Sequence, residues 1–154
     1  MALTEKQKQL IEELGVLHEG MGMQPAAGRV MALLLVSDTT ELTFEEIVDR
    51  LQLSKSAVSN ALALLQGLDR VDYITYPGDR KRYFRAKPKS VSSELERAMM
   101  GLAAHNGMLK RVLEQRPAGT KEFNQRLEEA IDFADFIVQE MPTLLQKWQH
   151  RKKG

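Results

Sequence analysis

The chain has 154 residues, 43% of them hydrophobic and 28% charged, with a formal net charge of +1. That length suits one compact domain, or a small domain with an extension, and the near-neutral total supplies no whole-protein attraction for a polyanion. There is no cysteine, which excludes disulfides, thiolate catalysis and Cys-based zinc sites, and His18, His105 and His150 lie far apart without metal-ligand spacing.

Residues 4–19 are charged throughout, unlike a signal peptide. The longest apolar run, residues 30–36, is far short of a membrane span. The expectation is a soluble cytoplasmic protein without membrane partners.

In chain order, Thr4 and Gln7 have the spacing of a capping box, followed by Leu10, Ile11, Leu14 and Leu17 at helical intervals. A first helix of about four turns is predicted. A Gly-Met-Gly-Met-Gln-Pro stretch over residues 20–25 breaks it, with Pro25 suited to the first turn of a second helix. That second helix, 26–36, is apolar almost all round and should be buried.

Thr43 and Glu46 repeat the capping-box spacing before Phe44, Ile47, Val48 and Leu51, the apolar face of a short helix. Ser54 is a good N-cap for a further helix over residues 54–65. Two helices joined by a turn this short form a helix-turn-helix. The period then changes to that of strands over 71–76 and 82–86, separated by Pro77, Gly78 and Asp79, which reads as a β-hairpin.

Ser93 and Glu96 are placed to cap a long helix carrying Leu95, Met99, Leu102, Leu109 and Val112. Residues 116–119 break it. The last helix aligns Phe123, Leu127, Ala130, Ile131, Ala134, Ile137, Met141, Leu144, Leu145 and Trp148 along one seam, with Pro142 expected to kink it. A seam of this length exposes more apolar surface than a lone small domain covers, which favours an intermolecular bundle over packing onto the first helix.

The positive charge is local. Residues 43–89 hold six acids and nine bases, and the density peaks at the hairpin, where YPGDRKRYFR spans residues 76–85. Arg80, Lys81, Arg82 and Arg85 would repel one another unless an anion relieved them. Arginine suits the narrow, electronegative minor groove of DNA, whereas cations on an edge hairpin also serve solubility. On the helix after Ser54, the side opposite the apolar face carries Ser56 and Asn60, flanked by Lys55 and Ser59. These small or amide side chains fit a major groove, with Ser54, Lys55 and Ser56 at a helix N-terminus that favours phosphate. The same residues also suit a plain solvated helix face.

Three stretches then resemble a known family: GMQPAAGRV at 22–30, LSKSAVS at 53–59 and PGDRKRYF at 77–84. Together, in this order and spacing over about residues 20–85, they resemble the MarR superfamily of winged-helix regulators, with the GbsR-like group as the nearest branch. Asp69 stands where such proteins often carry glutamate. The resemblance implies a homodimer held by terminal helices on an inverted-repeat, double-stranded operator. It further implies Arg80 as the minor-groove residue of the wing, Asp79 as its orienting partner, and a small-molecule effector pocket between the DNA-binding lobe and the dimer helices.

The fold class expected is therefore mainly α with a small β-hairpin. A winged helix-turn-helix at residues 25–88 would be flanked by dimerisation regions at 1–24 and 89–154. Candidate DNA-binding residues are Ser54, Lys55, Ser56, Ser59, Asn60, Arg80, Lys81 and Arg82, with Asp79 orienting the wing; no catalytic residue, cofactor or metal is expected. The function expected is a ligand-responsive repressor rather than an enzyme. The alternative is a winged-helix protein-interaction module that binds no operator.

Overall fold

A computed structural model describes residues 3–88 and 91–152. The chain divides into two compact units, Met1–Pro88 and Lys89–Gly154.

The first unit is built around an apolar helix. Helix α1 (Glu5–Gly20) starts at a closed capping box: the Gln7 N–H donates to Thr4 Oγ1 at 3.2 Å, and the Thr4 N–H donates to Gln7 Oε1 at 2.9 Å. Helix α2 (Pro25–Val36) has no side-chain cap at Gln24; Pro25 instead removes one of the N–H groups that would lack a partner. As its composition predicts, α2 is the core: Ala27, Val30, Ala32 and Leu33 are inaccessible to solvent. It packs against α1, helix α3 (Phe44–Leu51), helix α4 (Lys55–Gly67) and the sheet. Ile11, Ile47, Val58, Leu62, Leu65 and Phe84 close round it. Each such side chain contributes roughly 1.5–3 kcal/mol by leaving water. Helix α1 thus shares a core with the winged helix.

Helices α3 and α4 form the helix-turn-helix. Thr43 and Glu46 make the expected box, with the Thr43 N–H donating to Glu46 Oε2 at 2.7 Å, and those bonds hold the Glu46 carboxyl below its usual range. Gln52 ends α3 in the left-handed region at φ 53°. Ser54 then caps α4, accepting the Ala57 N–H at 3.2 Å.

The sheet has three strands, one more than the hairpin alone. β1 (Leu42–Thr43), β2 (Val71–Ile74) and β3 (Tyr83–Ala86) are antiparallel in the order β1-β3-β2. Leu42 pairs with Phe84, and Asp72 lies directly opposite Arg85. Two residues are too few to show a strand period, so β1 is invisible in the sequence pattern.

The second unit is a helical hairpin of α5 (Val91–Gln115) and α6 (Lys121–Lys152). Helix α5 already runs at Val91, so Ser93 lies inside it and is not its N-cap. A capping-box spacing also recurs on helix interiors, where the backbone N–H groups bond the preceding turn instead. Arg116 secures the connection, donating to Asn124 Oδ1 at 2.9 Å and Thr120 Oγ1 at 3.1 Å, with its guanidinium 4.2 Å from the Phe123 ring centroid. Helix α6 continues through Pro142, which has no N–H for the Val138 carbonyl.

Of the long α6 seam, only Ile131 is buried among the described residues. Phe123, Leu144 and Trp148 remain exposed, together with Met100, Phe133 and Phe136.

Candidate nucleic-acid interface

Every residue named above on the outer side of α4 is exposed: Lys55, Ser56, Ser59 and Asn60, with Ser54 at its start. The Ser54 hydroxyl is committed to the cap and lies 3.2 Å from Ser56 Oγ. The face then divides. Ser59, Ala63 and Gln66 form one wall of a cleft of about 530 Å³, and Arg80, Lys81 and Arg82 form the other. Ser56 and Asn60 lie on the helix outside that lining.

Gln66 and Glu45, both cleft residues, escaped the sequence reading. Gln66 follows Ser59 by seven residues, two helical turns, and that spacing is the signal that could have found it. Glu45 is the acid of the cleft.

The wing is formed by a β-turn in which Pro77 and left-handed Gly78 (φ 82°) take the central positions and the Asp79 N–H donates to the Tyr76 carbonyl at 3.0 Å. Asp79 was expected to hold an arginine. Its carboxylate instead accepts the Tyr83 hydroxyl at 2.6 Å and the Lys81 N–H at 2.9 Å. A phenol on the following strand and a local N–H reach the carboxylate without the entropy cost of ordering a long guanidinium stem. These bonds lower the Asp79 carboxyl, and the Tyr83 phenol is pushed up to about 12 because its neutral form is the donor.

The crowding of cations is resolved within the hairpin. Arg85 makes a two-pronged pair with Asp72, at 2.6 and 3.1 Å, across the strands. Arg82 lies over the Tyr73 ring, 4.7 Å from its centroid, and Lys87 pairs with Asp69. The side chains of Arg80 and Lys81 make no hydrogen bond or ion pair with the described residues and are exposed at the tip.

Residues 21–82 match a profile described as the MarR family, and residues 92–151 match one described as MmpR5-like MarR family transcriptional regulator. Both stretches are thus similar to MarR-family regulators. Among curated relatives, the HTH-type transcriptional regulator MmpR5 of Mycobacterium tuberculosis (strain ATCC 25618 / H37Rv) is 25% identical over 146 residues, covering 93% of this chain and 87% of its own. A crystal structure of a transcriptional regulator superposes with a TM-score of 0.69 at 22% identity, covering 94% of this chain and 99% of that one, which establishes a shared fold.

MarR-family proteins are DNA-binding transcriptional regulators, and this chain is similar to them over both stretches. No helix among the described residues is long and apolar enough to cross a membrane.

Proposed function

We propose that this chain is a MarR-family regulator, two copies of which bind one inverted-repeat operator and repress transcription by occluding polymerase. Ser56 and Asn60 address base edges in the major groove, where asparagine pairs with adenine through two hydrogen bonds. Arg80 enters the neighbouring minor groove and Lys81 takes a phosphate. The wall of Ser59 and Gln66 faces the same cleft as the wing cations, which suits a phosphodiester strand passing between helix and wing. The half-sites lie about one helical turn apart.

The observation that carries this reading is the division of charge in the wing: most of its cations have internal partners, while Arg80 and Lys81 project unpaired beside α4. A hairpin built for solubility alone needs no such separation.

The dimer is assigned to residues 1–24 and 89–154. Its support is the apolar surface of the helical hairpin, where Phe133 is 66% and Met100 74% exposed. Effector control follows the motif resemblance, as does the GbsR-like placement, which rests on residues 20–85. The site of action is the cytoplasm. The alternative, a protein-interaction module, requires an apolar recognition face, whereas Ser56, Ser59 and Asn60 present hydroxyl and amide groups there.

Selection of bound fragments from random and genomic DNA at moderate salt tests the function, with sedimentation of the free and bound protein reporting its copy number. A recovered palindrome bound by two chains is expected. No enrichment of any duplex, or binding by one chain alone, would overturn the reading.

A further inference from the structure

The wing tip is tied down by more than its turn. Residues 75–82 make no strand pairing, so hydrogen bonds of the sheet do not hold the tip. The Asp79 carboxylate does, using one oxygen for the Lys81 N–H and the other for the Tyr83 hydroxyl at the first residue of β3.

Tyr83 is itself braced. Its ring meets Tyr76 edge-on with centroids 5.0 Å apart, and the Tyr76 hydroxyl donates to Glu41 Oε1 at 2.6 Å, immediately before β1. A continuous series of contacts therefore runs from Glu41 through two tyrosines to Asp79 and the backbone of Lys81. It lies apart from the core: Phe84, the next residue along the strand, is the buried one, and Tyr83 is half-buried on the opposite face.

We propose that Tyr83 is a positioning residue for DNA binding: its hydroxyl, acting through Asp79, holds the wing tip in the shape that presents Arg80 and Lys81 before DNA arrives. The inference rests on the DNA-binding mode proposed above and deepens it. An arginine presented by a loose loop must be ordered at the moment of binding, and a tip ordered beforehand avoids that loss. Tyr83→Phe is the informative change, since it keeps the ring and its contact with Tyr76 and removes only the donor.

The test uses the full-length Tyr83→Phe protein and the duplex enriched by the unaltered protein. Affinity should fall about tenfold, as for loss of a hydrogen bond to a charged group. The thermal midpoint should fall only slightly, since a part-buried bond apart from the core adds little to global stability, and major-groove methylation protection should persist while minor-groove hydroxyl-radical protection beside each half-site disappears. Without DNA, the Lys81 amide should lose exchange protection and the tip should gain motion in NMR relaxation. Asp79→Asn should reproduce the effect, and the double variant should be no worse than either single one.

Full affinity with intact minor-groove protection in Tyr83→Phe would overturn the proposal. So would a free variant whose tip is as ordered as the parent's. The latter measurement needs no duplex, so failure to recover any operator counts against the function while the tip measurement still decides the role of Tyr83.

Discussion

Asn106 of α5 donates to the Asp135 carboxylate of α6 at 2.8 Å, and the same nitrogen donates to the Ile131 carbonyl at 3.0 Å. Asn106 is 2% exposed, a buried polar group with its donors used on the neighbouring helix. Lys110 completes the cluster at 2.6 Å from Asp135 and, with Asn106, lowers that carboxyl. A buried amide bonded to particular partners specifies one helix register where an all-apolar seam would tolerate several. Asn106→Ala should cost about 1–3 kcal/mol, read by denaturant unfolding at fixed protomer concentration. Asn106→Leu should cost less in stability yet allow more than one register, visible as doubled amide resonances in α5 and α6.

The contact of α1 with α2 turns on Gly28. A Cβ there would stand 3.1 Å from the His18 Cβ and 3.3 Å from the Gly15 carbonyl, one of them backbone. Gly28→Ala should therefore lower stability by about 1–3 kcal/mol through overpacking, reduced somewhat by the better helix propensity of alanine. At Gly15 the nearest atom, at 3.0 Å, is Cγ of Arg29, a side chain whose guanidinium is held by Glu12 and Glu19 and which can give only by straining those pairs. Gly15→Ala should lower stability by about 1 kcal/mol, the strain on those partly exposed pairs exceeding the gain in helix propensity. Thermal unfolding of the two variants side by side checks the contrast.

The wing cations should separate in binding experiments. Arg80→Ala should cost about 1–3 kcal/mol of operator affinity with an unaltered thermal midpoint. Lys81→Ala should weaken all sequences alike and lower the salt slope by about 1. Arg85→Ala should matter less to DNA and more to the hairpin, because its guanidinium is already paired with Asp72. Affinity titrations across a salt series distinguish the three.

Glu45 is an acid in a cleft otherwise suited to phosphate. Glu45→Gln should tighten DNA binding, by an amount of order 0.5 kcal/mol for an exposed charge, with the largest gain at low salt. The same titration checks it.

The Asp79–Tyr83 bond sets two pH limits of opposite sign. The Asp79 carboxyl is depressed, so its contribution is complete above the ordinary value of 3.8 and is lost as pH falls through the lower folded value. The Tyr83 phenol is raised from 10.0 to about 12, so its contribution is complete below 10.0 and is lost as pH rises through about 12. Ultraviolet phenolate titration, taken as the difference between the parent and Tyr83→Phe, should place Tyr83 near the upper value. In Asp79→Asn the midpoint should move back toward the ordinary phenol, since the neighbouring negative charge is gone.

Much of this molecule could be read one residue at a time. The capping boxes at Thr4 and Thr43, the cap at Ser54 and the buried α2 depend on local spacing and hydrophobicity, which survive folding unchanged. At Ser93 the same local rule misplaced a helix start, because a capping spacing does not say whether the chain before it is already helical. β1 was missed for the opposite reason: its two residues are a strand only because Phe84 and Tyr83 lie alongside.

The sequence by itself determined the helix-turn-helix, the hairpin and the local excess of arginine, all consequences of short-range periodicity and charge. Only the tertiary structure decided which cations stay outward, because Asp72 and Tyr73 take Arg85 and Arg82 across the hairpin. It likewise decided that Tyr83 rather than an arginine engages Asp79, and that Gln66 and Glu45 share a cleft with the wing. Pairing choices of this kind depend on which of several chemically acceptable partners the fold brings within reach.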